Sequence, residues 1–388
     1  MRSQLTPFQF MTATAIHFGR GEATRHLDEI AALGSRLLIV HGRDEGRARW
    51  LLEALETRGI YKETYAIPTE PDIVMIGKGV TKARQAGIDA VIAIGGGAVI
   101  DAGKALSALV AARGEALDYL EIVGKGLPLD QDPLPFAALP TTAGTGAEVT
   151  KNAVLTVPQA RRKVSLRDPR MLPRLAIVDP ALTDHLPKAI TLASGLDAIT
   201  QVIEPYLSCK SNPLTDALCR SAIPQGLTAL VSLMEGESEA ARDALAYTSL
   251  CGGLALANAG LGAVHGFAGV IGGETGAAHG ALCGALLPHV LKANEQALCQ
   301  NQPSGALLQR FSEVRSWIAE ALGVSQKQSL DHLANWARGN GLPTLSELGL
   351  PSDMISEVVE ASKRSSSMKG NPVILSHEAL KSILEAAS

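Results

Sequence analysis

The sequence predicts an α/β N-terminal half built on a parallel sheet, followed by an all-helical C-terminal half. Three observations carry that expectation. Up to about Leu182, short apolar runs alternate with amphipathic stretches. Strands spaced by helices of about ten to fifteen residues imply βαβ units and a parallel sheet. Beyond Leu182 convincing strands stop and 3.6-residue periodicity takes over. Third, two polar, glycine-broken loops directly follow strand-like runs in the first half. The expected domains are therefore residues 1–182 and 183–388.

In chain order, Arg36–His41 is a short apolar strand ending at Gly42. Ala48–Arg58 is a helix, with apolar spacing through Leu51, Leu52 and Leu55. Ile60–Ile67 is a second strand and Asp72–Gln85 a second helix. Ala90–Ile94 reads as a buried strand running into Gly95, Gly96 and Gly97, with a helix over Ile100–Ala112. Phe136–Leu139 and Ala176–Val178 complete the strands. The helical half shows segments at Ser194–Leu207, Pro213–Leu233, Ala240–Ala259 and Leu307–Leu322. The second of these is expected to break or kink at Pro224, because proline removes a helical N–H donor.

Composition narrows the function class. The 388 residues are 46% hydrophobic, enough for two sizeable cores, yet only 4% aromatic, with 38 glycines. That mix suits close strand and helix packing with glycine turns. The net charge is -4, from 35 basic and 39 acidic residues, with no basic block. Nucleic acid is therefore not an expected partner. No apolar stretch reaches the roughly 20 residues of a membrane span, and the N-terminus lacks the pattern of a signal peptide. A cytoplasmic protein follows as the expectation. The five cysteines form no CxxC pair, which argues against a disulfide framework or structural zinc site and for reduced, mostly structural thiols.

Two loops point to a nucleotide. In AVIAIGGGAVIDAGKA, three glycines stand between a strand and a helix, where the backbone can approach a pyrophosphate and the helix N-terminus offers free N–H groups. The motif is neither GxGxxG nor a Walker A loop. Asp101 and Lys104 lie on the first turns of that helix; the bland reading is that both are solvated. In LPTTAGTGAEVTKN, the hydroxyls of Thr141, Thr142 and Thr145 could hold phosphate, ribose or amide groups, or the loop could simply start a helix at Ala147. Together they favour dinucleotide binding.

A metal constellation sits in the helical half. Ser194 and Asp197 read as a helix start with an acid at its third position, with Gln201 four residues on along the same face. His265 and His279, each followed by glycine, lie fourteen residues apart in apolar stretches. One Asp and two imidazoles suit a divalent metal with a position open for substrate. Each residue also has an ordinary alternative, as a helix cap or a hydrogen-bonded core histidine.

The motifs GGGAVIDAGK, LPTTAGTGAEVT, SGLDAITQVIEPY and HGFAGVIGGETGAAHG together resemble the iron-containing (group III) alcohol dehydrogenases, in register from about Gly19 to His289. The resemblance implies a Rossmann-like dinucleotide domain followed by a helical domain, the architecture shared with dehydroquinate synthase. It implies Gly95, Gly96 and Gly97 against the pyrophosphate, and Asp101, Thr141, Thr142 and Thr145 in the cofactor site. Lys163 would lie near ribose or phosphates. It carries the metal ligands to Asp197, His265 and His279, and implies a small alcohol or aldehyde substrate and a homo-oligomer, commonly a dimer.

Two positions depart from the family pattern. Gln201 stands where a fourth ligand, a histidine, is typical. It is either a weak ligand, a holder of metal-bound water, or a sign of metal-free action. Gly269 stands where many members carry a further histidine. The metal expected is Fe²⁺ or Zn²⁺. After the strand Arg36–His41, Gly42 leaves room for a 2′-phosphate that Arg43 could pair with, which favours NADP over NAD. Asp44 could instead serve NAD. The expected reaction is reversible hydride transfer between an alcohol carbon and nicotinamide. The rivals are a metal-independent reductase resembling maleylacetate reductases, a hydroxyacid–oxoacid transhydrogenase, a lyase resembling dehydroquinate synthase, and a non-catalytic nucleotide-binding module.

Overall fold

The computed structural model describes residues 7–160, 162–300 and 305–388; the first six residues of the expected first domain lie outside them. The chain divides into two compact units. One is Thr12–Asp184; the other is His185–Ser388, joined by the N-terminal segment that ends at Met11.

The first unit is built on six parallel strands. They are β1 (Ala15–Phe18), β2 (Arg36–His41), β3 (Tyr61–Ala66), β4 (Ala90–Gly95), β5 (Phe136–Pro140) and β8 (Leu175–Val178), in the order β1-β8-β5-β4-β2-β3. The helices are α1 (Glu22–Arg25), α2 (Leu27–Ala31), α3 (Arg49–Thr57), α4 (Ile73–Gln85), α5 (Gly97–Ala111) and α6 (Ala116–Tyr119). Side-chain alternation assigns the two faces. Leu38, Val40, Val91 and Ala93 pack into one core with α4 and α5 residues, and Leu37, Ile39, Ala90 and Ile92 into the other with Ile30, Leu51 and Leu55. A sheet covered on both faces explains why its strands read as unbroken apolar runs.

The strand order has one consequence for function. The connection from β2 leads outward to β3, and the chain then crosses back to place β4 on the other side of β2. That reversal is the topological switch point at which α/β sheets open a crevice beyond the strand C-termini. His41 pairs in register with Ile94, so Gly42 and Gly95 flank that point.

Sequence reading missed three strands here. β1 is short and only half-buried. β6 (Asn152–Val157) and β7 (Arg162–Arg167) form an antiparallel hairpin. Its inward residues Ala153, Leu155, Val157, Val164 and Leu166 join the α5-side core. Their period-two alternation was the available signal.

The second unit is helical: α7 (Lys188–Leu207), α8 (Pro213–Glu235), α9 (Glu239–Ala259), α10 (Ala263–Thr275), α11 (His279–Gln300), α12 (Gly305–Leu322), α13 (Ser329–Gly339), α14 (Ile355–Ser362) and α15 (His377–Ala387). Two expectations are corrected. α7 begins at Lys188, so Ser194 and Asp197 lie inside the helix and Asp197 is no cap. The acid is buried mid-helix, where capping chemistry has no use for it. α8 continues through Pro224, so the expected break there is absent, and packing against α7 and α9 offsets the local cost of proline. Among the described residues no single helix is long and apolar enough to cross a membrane.

Candidate active site

The first unit holds a glycine-lined cradle at the switch point. β4 delivers the chain into Gly95–Gly97, and α5 starts at Gly97 with no side chain capping it. Its N-terminal dipole and N–H groups are thus available to an anion. Thr141 N–H donates to the Gly95 carbonyl at 2.9 Å, which ties the threonine loop to the glycine loop. A Cβ on Gly97 would stand 2.6 Å from Thr145 Cγ2, and one on Gly96 would stand 3.3 Å from Thr142 Oγ1. The structure therefore gathers Gly95, Gly96, Gly97, Thr141, Thr142 and Thr145 into one place, and the missing side chains at Gly96 and Gly97 let the threonine loop pack this closely against the glycine loop.

The remaining first-unit candidates have other partners. Asp101 and Lys104 are not solvated. Asp101 accepts from Val154 N–H at 3.0 Å and pairs with Lys104 Nζ at 3.0 Å. Lys104 is fully buried and also donates to Thr150 Oγ1 at 2.8 Å and to the Asn152 carbonyl. The pair fastens α5 to the hairpin, and each buried charge is met by the other. Burial is the main influence on Asp101 and raises its pKa. Lys163 lies on β7 opposite Thr156, with its ammonium 3.6 Å from the Glu70 carboxylate. Arg43 is exposed and reaches the Pro68 carbonyl at 3.4 Å. Asp44 accepts from Gly46 N–H at 2.8 Å, which caps a short 3₁₀ turn. A Cβ on Gly42 would meet nothing nearer than Val99 at 4.0 Å.

The second unit builds the metal-type cluster from three helices. α7 is apolar nearly all round, which is why it is buried. Asp197, Gln201 and Glu204 share one of its faces by their spacing of four and three. α11 lies close against α7. A Cβ on Gly280 would be 2.3 Å from the Ala193 carbonyl oxygen, and one on Gly284 would be 2.5 Å from Leu196 Cδ1. These two glycines bring His279, at the start of α11, to Asp197. α10 supplies His265.

The distances converge. His265 Nε2 lies 3.4 Å and His279 Nε2 3.9 Å from Asp197 Oδ1. Cys283 Sγ lies 3.8 Å from His265 Nε2 and 3.7 Å from His279 Nε2. The ligand-type atoms of Asp197, His265, His279 and Cys283 all lie within 4.8 Å of one another. Asp197 is 2% exposed, yet its Oδ1 accepts no hydrogen bond. A buried carboxylate oxygen facing two imidazole nitrogens is a fitting seat for a divalent cation. Gln201 is buried one turn beyond Asp197.

Sequence reading missed Glu204. Its carboxylate holds His265 Nδ1 at 2.6 Å and accepts from Val264 N–H at 2.7 Å. It thereby satisfies the α10 N-terminus and fixes the imidazole so that Nε2 faces Asp197. Its spacing of seven from Asp197 was the available signal. Cys283, one turn beyond His279, was read only as a structural thiol.

Electrostatics follow the geometry. Burial works against ionised Asp197, but His279 and His265 outweigh it and hold the carboxyl below its ordinary value. Burial likewise opposes protonated His279, but Cys283 and Asp197 beside it raise its pKa to about 9. His265 moves in the same direction, with Cys283 and Glu204 overcoming burial. These directions follow from the carboxylates and the thiol packed around the two rings.

Comparison with known proteins agrees. Residues 13–180 match the family model for iron-containing alcohol dehydrogenase, and residues 191–388 match that for the C-terminal part of the same family. The chain is 30% identical over 372 residues to the 4-hydroxybutyrate dehydrogenase of Cupriavidus necator, covering 92% of this chain and 94% of that one. It is 30% identical over 363 residues to the lactaldehyde reductase of Escherichia coli (strain K12), covering 92% and 93%. Among solved structures, a 1,3-propanediol oxidoreductase superposes with a TM-score of 0.88 at 27% identity, covering 99% of this chain and 100% of the other. The iron-containing alcohol dehydrogenase of Thermococcus thioreducens does so at 0.84 and 28%, covering 98% and 99%. With a sheet that opens at its switch point, a helical unit that gathers Asp197, His265 and His279, and both family models matched in order, the chain belongs to the iron-containing alcohol dehydrogenase family.

Proposed function

We infer that Asp197, His265 and His279 are the residues through which this chain performs the alcohol–carbonyl interconversion of its family, with NADP(H) preferred over NAD(H). The observation that carries the reading is Oδ1 of buried Asp197, which accepts no hydrogen bond and is faced by two imidazole nitrogens. Asp197, His265 and His279 would hold a divalent ion, which would supply positive charge to polarise a substrate oxygen, while a nicotinamide would supply or take up the hydride.

The chain's own residues do the rest. Glu204 keeps the His265 Nδ1 proton engaged, so the Nε2 lone pair is free for the cation. His279 is the one cluster side chain with sizeable exposure, 33%, so a small alcohol approaches from its side. At Gly269 a Cβ would meet nothing within 4 Å, so no side chain there narrows the approach or relays a proton. Gly95–Gly97 and the α5 N-terminus take the pyrophosphate, with Thr141, Thr142 and Thr145 around it. Asp101 and Lys163 serve this region through the hairpin, one by anchoring it and the other from its second strand. Gln201 fills the α7 face beside Asp197 and is at most a weak oxygen donor.

The NADP(H) preference rests on the end of β2. Gly42 leaves room, the Arg43 guanidinium is exposed, and the Asp44 carboxylate is engaged as a cap. A 2′-phosphate gains a charge-assisted partner there.

The experiment is elemental analysis of the purified protein, with turnover measured with NADPH and NADH before and after chelation. Its carbonyl panel takes its cue from the relatives' names: lactaldehyde, the semialdehyde that a 4-hydroxybutyrate dehydrogenase yields, and 3-hydroxypropanal. Stoichiometric metal, loss of turnover on chelation and at least a tenfold NADPH preference support the reading. Unchanged turnover in excess EDTA defeats the metal assignment and leaves a metal-independent reductase. Equal use of both cofactors, or an Arg43→Ala variant with an unchanged ratio, defeats the cofactor assignment.

A further inference from the structure

The cation pocket contains one donor that the three-residue assignment leaves unused. Cys283 projects from α11 one turn after His279, is fully buried, and places Sγ 3.8 and 3.7 Å from the two imidazole Nε2 atoms. Those spacings match the 3.4 and 3.9 Å that separate the same nitrogens from Asp197 Oδ1. The sulfur and the carboxylate oxygen thus bracket the two nitrogens in the same way. With metal–ligand bonds of about 2.0–2.3 Å, the edges of a tetrahedron are about 3.3–3.8 Å. The observed separations already approximate those edges.

The ordinary alternative is a small apolar core residue, the usual fate of a buried free cysteine. Cys219 and Cys251 fit it, being buried and not members of this cluster. Cys283 does not. Two imidazole nitrogens converge on its sulfur, and its single S–H can donate to only one of them, which leaves the other to a weak N–H···S contact at best. The independent observation is Asp197 Oδ1, which lies among the same atoms, is buried and accepts no hydrogen bond. One cation at the centre would satisfy all four groups.

We propose that Cys283 is a ligand of the catalytic cation, giving this chain an Asp197–His265–His279–Cys283 donor set in place of one that draws its fourth donor from α7. The proposal rests on the metal reading above and deepens it. Gln201, at the α7 position, offers only a neutral amide oxygen. The thiolate offers charge and softness from α11 instead. Binding releases the thiol proton to solvent as the metal–sulfur bond forms. The resulting one-oxygen, two-nitrogen, one-sulfur set selects Zn²⁺, Co²⁺ or Fe²⁺ over Mg²⁺ or Mn²⁺. The partly exposed His279 side is where a substrate oxygen would reach a cation held by these four residues.

The test is cobalt substitution of the chelator-stripped protein. Thiolate bound to Co²⁺ gives an intense near-ultraviolet charge-transfer band, which oxygen and nitrogen ligands do not. The expected result is that band at one Co²⁺ per chain, its loss in Cys283→Ser with the weaker visible d–d bands retained, and at least tenfold weaker Zn²⁺ binding in that variant by chelator competition. Cys251→Ser keeps both the band and the affinity. X-ray absorption on the zinc-loaded wild-type protein gives the same answer without a variant, through one sulfur scatterer at about 2.3 Å. Cobalt that binds with d–d bands but no charge-transfer band, or zinc with only light-atom scatterers, overturns the sulfur ligand and leaves the Asp–His–His reading standing. Failure of any divalent metal to bind overturns both.

Discussion

Glu204 grips the α10 N-terminus and the His265 ring with one carboxylate: Oε1 accepts from Val264 N–H at 2.7 Å, and Oε2 lies 2.6 Å from His265 Nδ1. Both ends of the interaction are buried. The same acid therefore fixes the backbone that carries His265 and the tautomer that the ring presents. Outer partners of this kind are worth roughly 10–100-fold in metal affinity. Glu204→Gln keeps one oxygen for Val264 but replaces a charged acceptor with a neutral amide. Its expected effect is a 10–100-fold loss of Zn²⁺ affinity by chelator competition, with thermal stability little changed. Glu204→Ala should lose affinity and also stability, by about 1–3 kcal/mol for the buried donors it abandons. Affinity that survives in both variants removes Glu204 from the site.

Proton competition should govern metal binding. In the metal-free protein the His279 pKa is raised to about 9, with Cys283 and Asp197 overcoming burial. A raised imidazole pKa stabilises the apoprotein fully below the unfolded value near 6.5, and that stabilisation is lost as pH rises through about 9. Metal requires the neutral ring, so the two ligands compete. Apparent Zn²⁺ affinity should climb between pH 6.5 and 9, by about tenfold per unit for each proton displaced. A flat profile across that window, by calorimetry or competition, contradicts the arrangement of charges around His279.

How much of this was legible in the sequence depends on what each residue needs. The buried strands were readable because a sheet covered on both faces demands continuous apolar runs, as in Ala90–Gly95. Spacing alone left Asp197, His265 and His279 with ordinary alternatives, and the family resemblance made them a ligand set; the structure brings them within reach of each other. The start of α7 was misplaced because Pro187 and Lys188 carry no capping side chain, whereas Ser194 and Asp197 imitate a cap. Glu204, beyond its spacing of seven from Asp197, and Cys283 were hard to read for a different reason. Each meets its partners on another helix, and local pattern alone does not say which residues those are. Lys104 went the same way, looking like a surface charge until the hairpin closed over it.

Gly97→Ala offers a clean separation of the two halves of the chemistry. The added Cβ would stand 2.6 Å from Thr145 Cγ2 and 2.7 Å from Thr145 Oγ1. Relief requires movement of the threonine loop or of the α5 N-terminus, the two walls of the cradle. Overpacking of this kind costs about 1–3 kcal/mol, which corresponds to roughly 5–150-fold in affinity if it falls on the bound state. Dinucleotide affinity, read by nicotinamide fluorescence, should fall by about 5–150-fold. Metal content should not change, because every proposed ligand lies on α7, α10 or α11. Equal dinucleotide binding in the variant would place the pyrophosphate elsewhere.

Glu148 makes a stability prediction independent of catalysis. It is 1% exposed at the end of the threonine loop, and burial pushes its pKa up to about 7. The unfolded carboxyl ionises near its ordinary value of 4.5, while the folded one stays protonated until about pH 7. The sign is therefore opposite to that of a salt-bridged acid. Below pH 4.5 the group costs nothing; as pH rises from 4.5 to 7 the unfolded state is progressively favoured, and above 7 the penalty levels off at about 3 kcal/mol. Glu148→Gln has the same shape and no ionisation. Its stability relative to wild type, measured by urea denaturation at fixed metal and cofactor, should grow across pH 4.5–7 and then hold constant. A difference that does not vary with pH would show that Glu148 ionises as freely in the folded chain as in the unfolded one, with Lys104 or bound water compensating the burial.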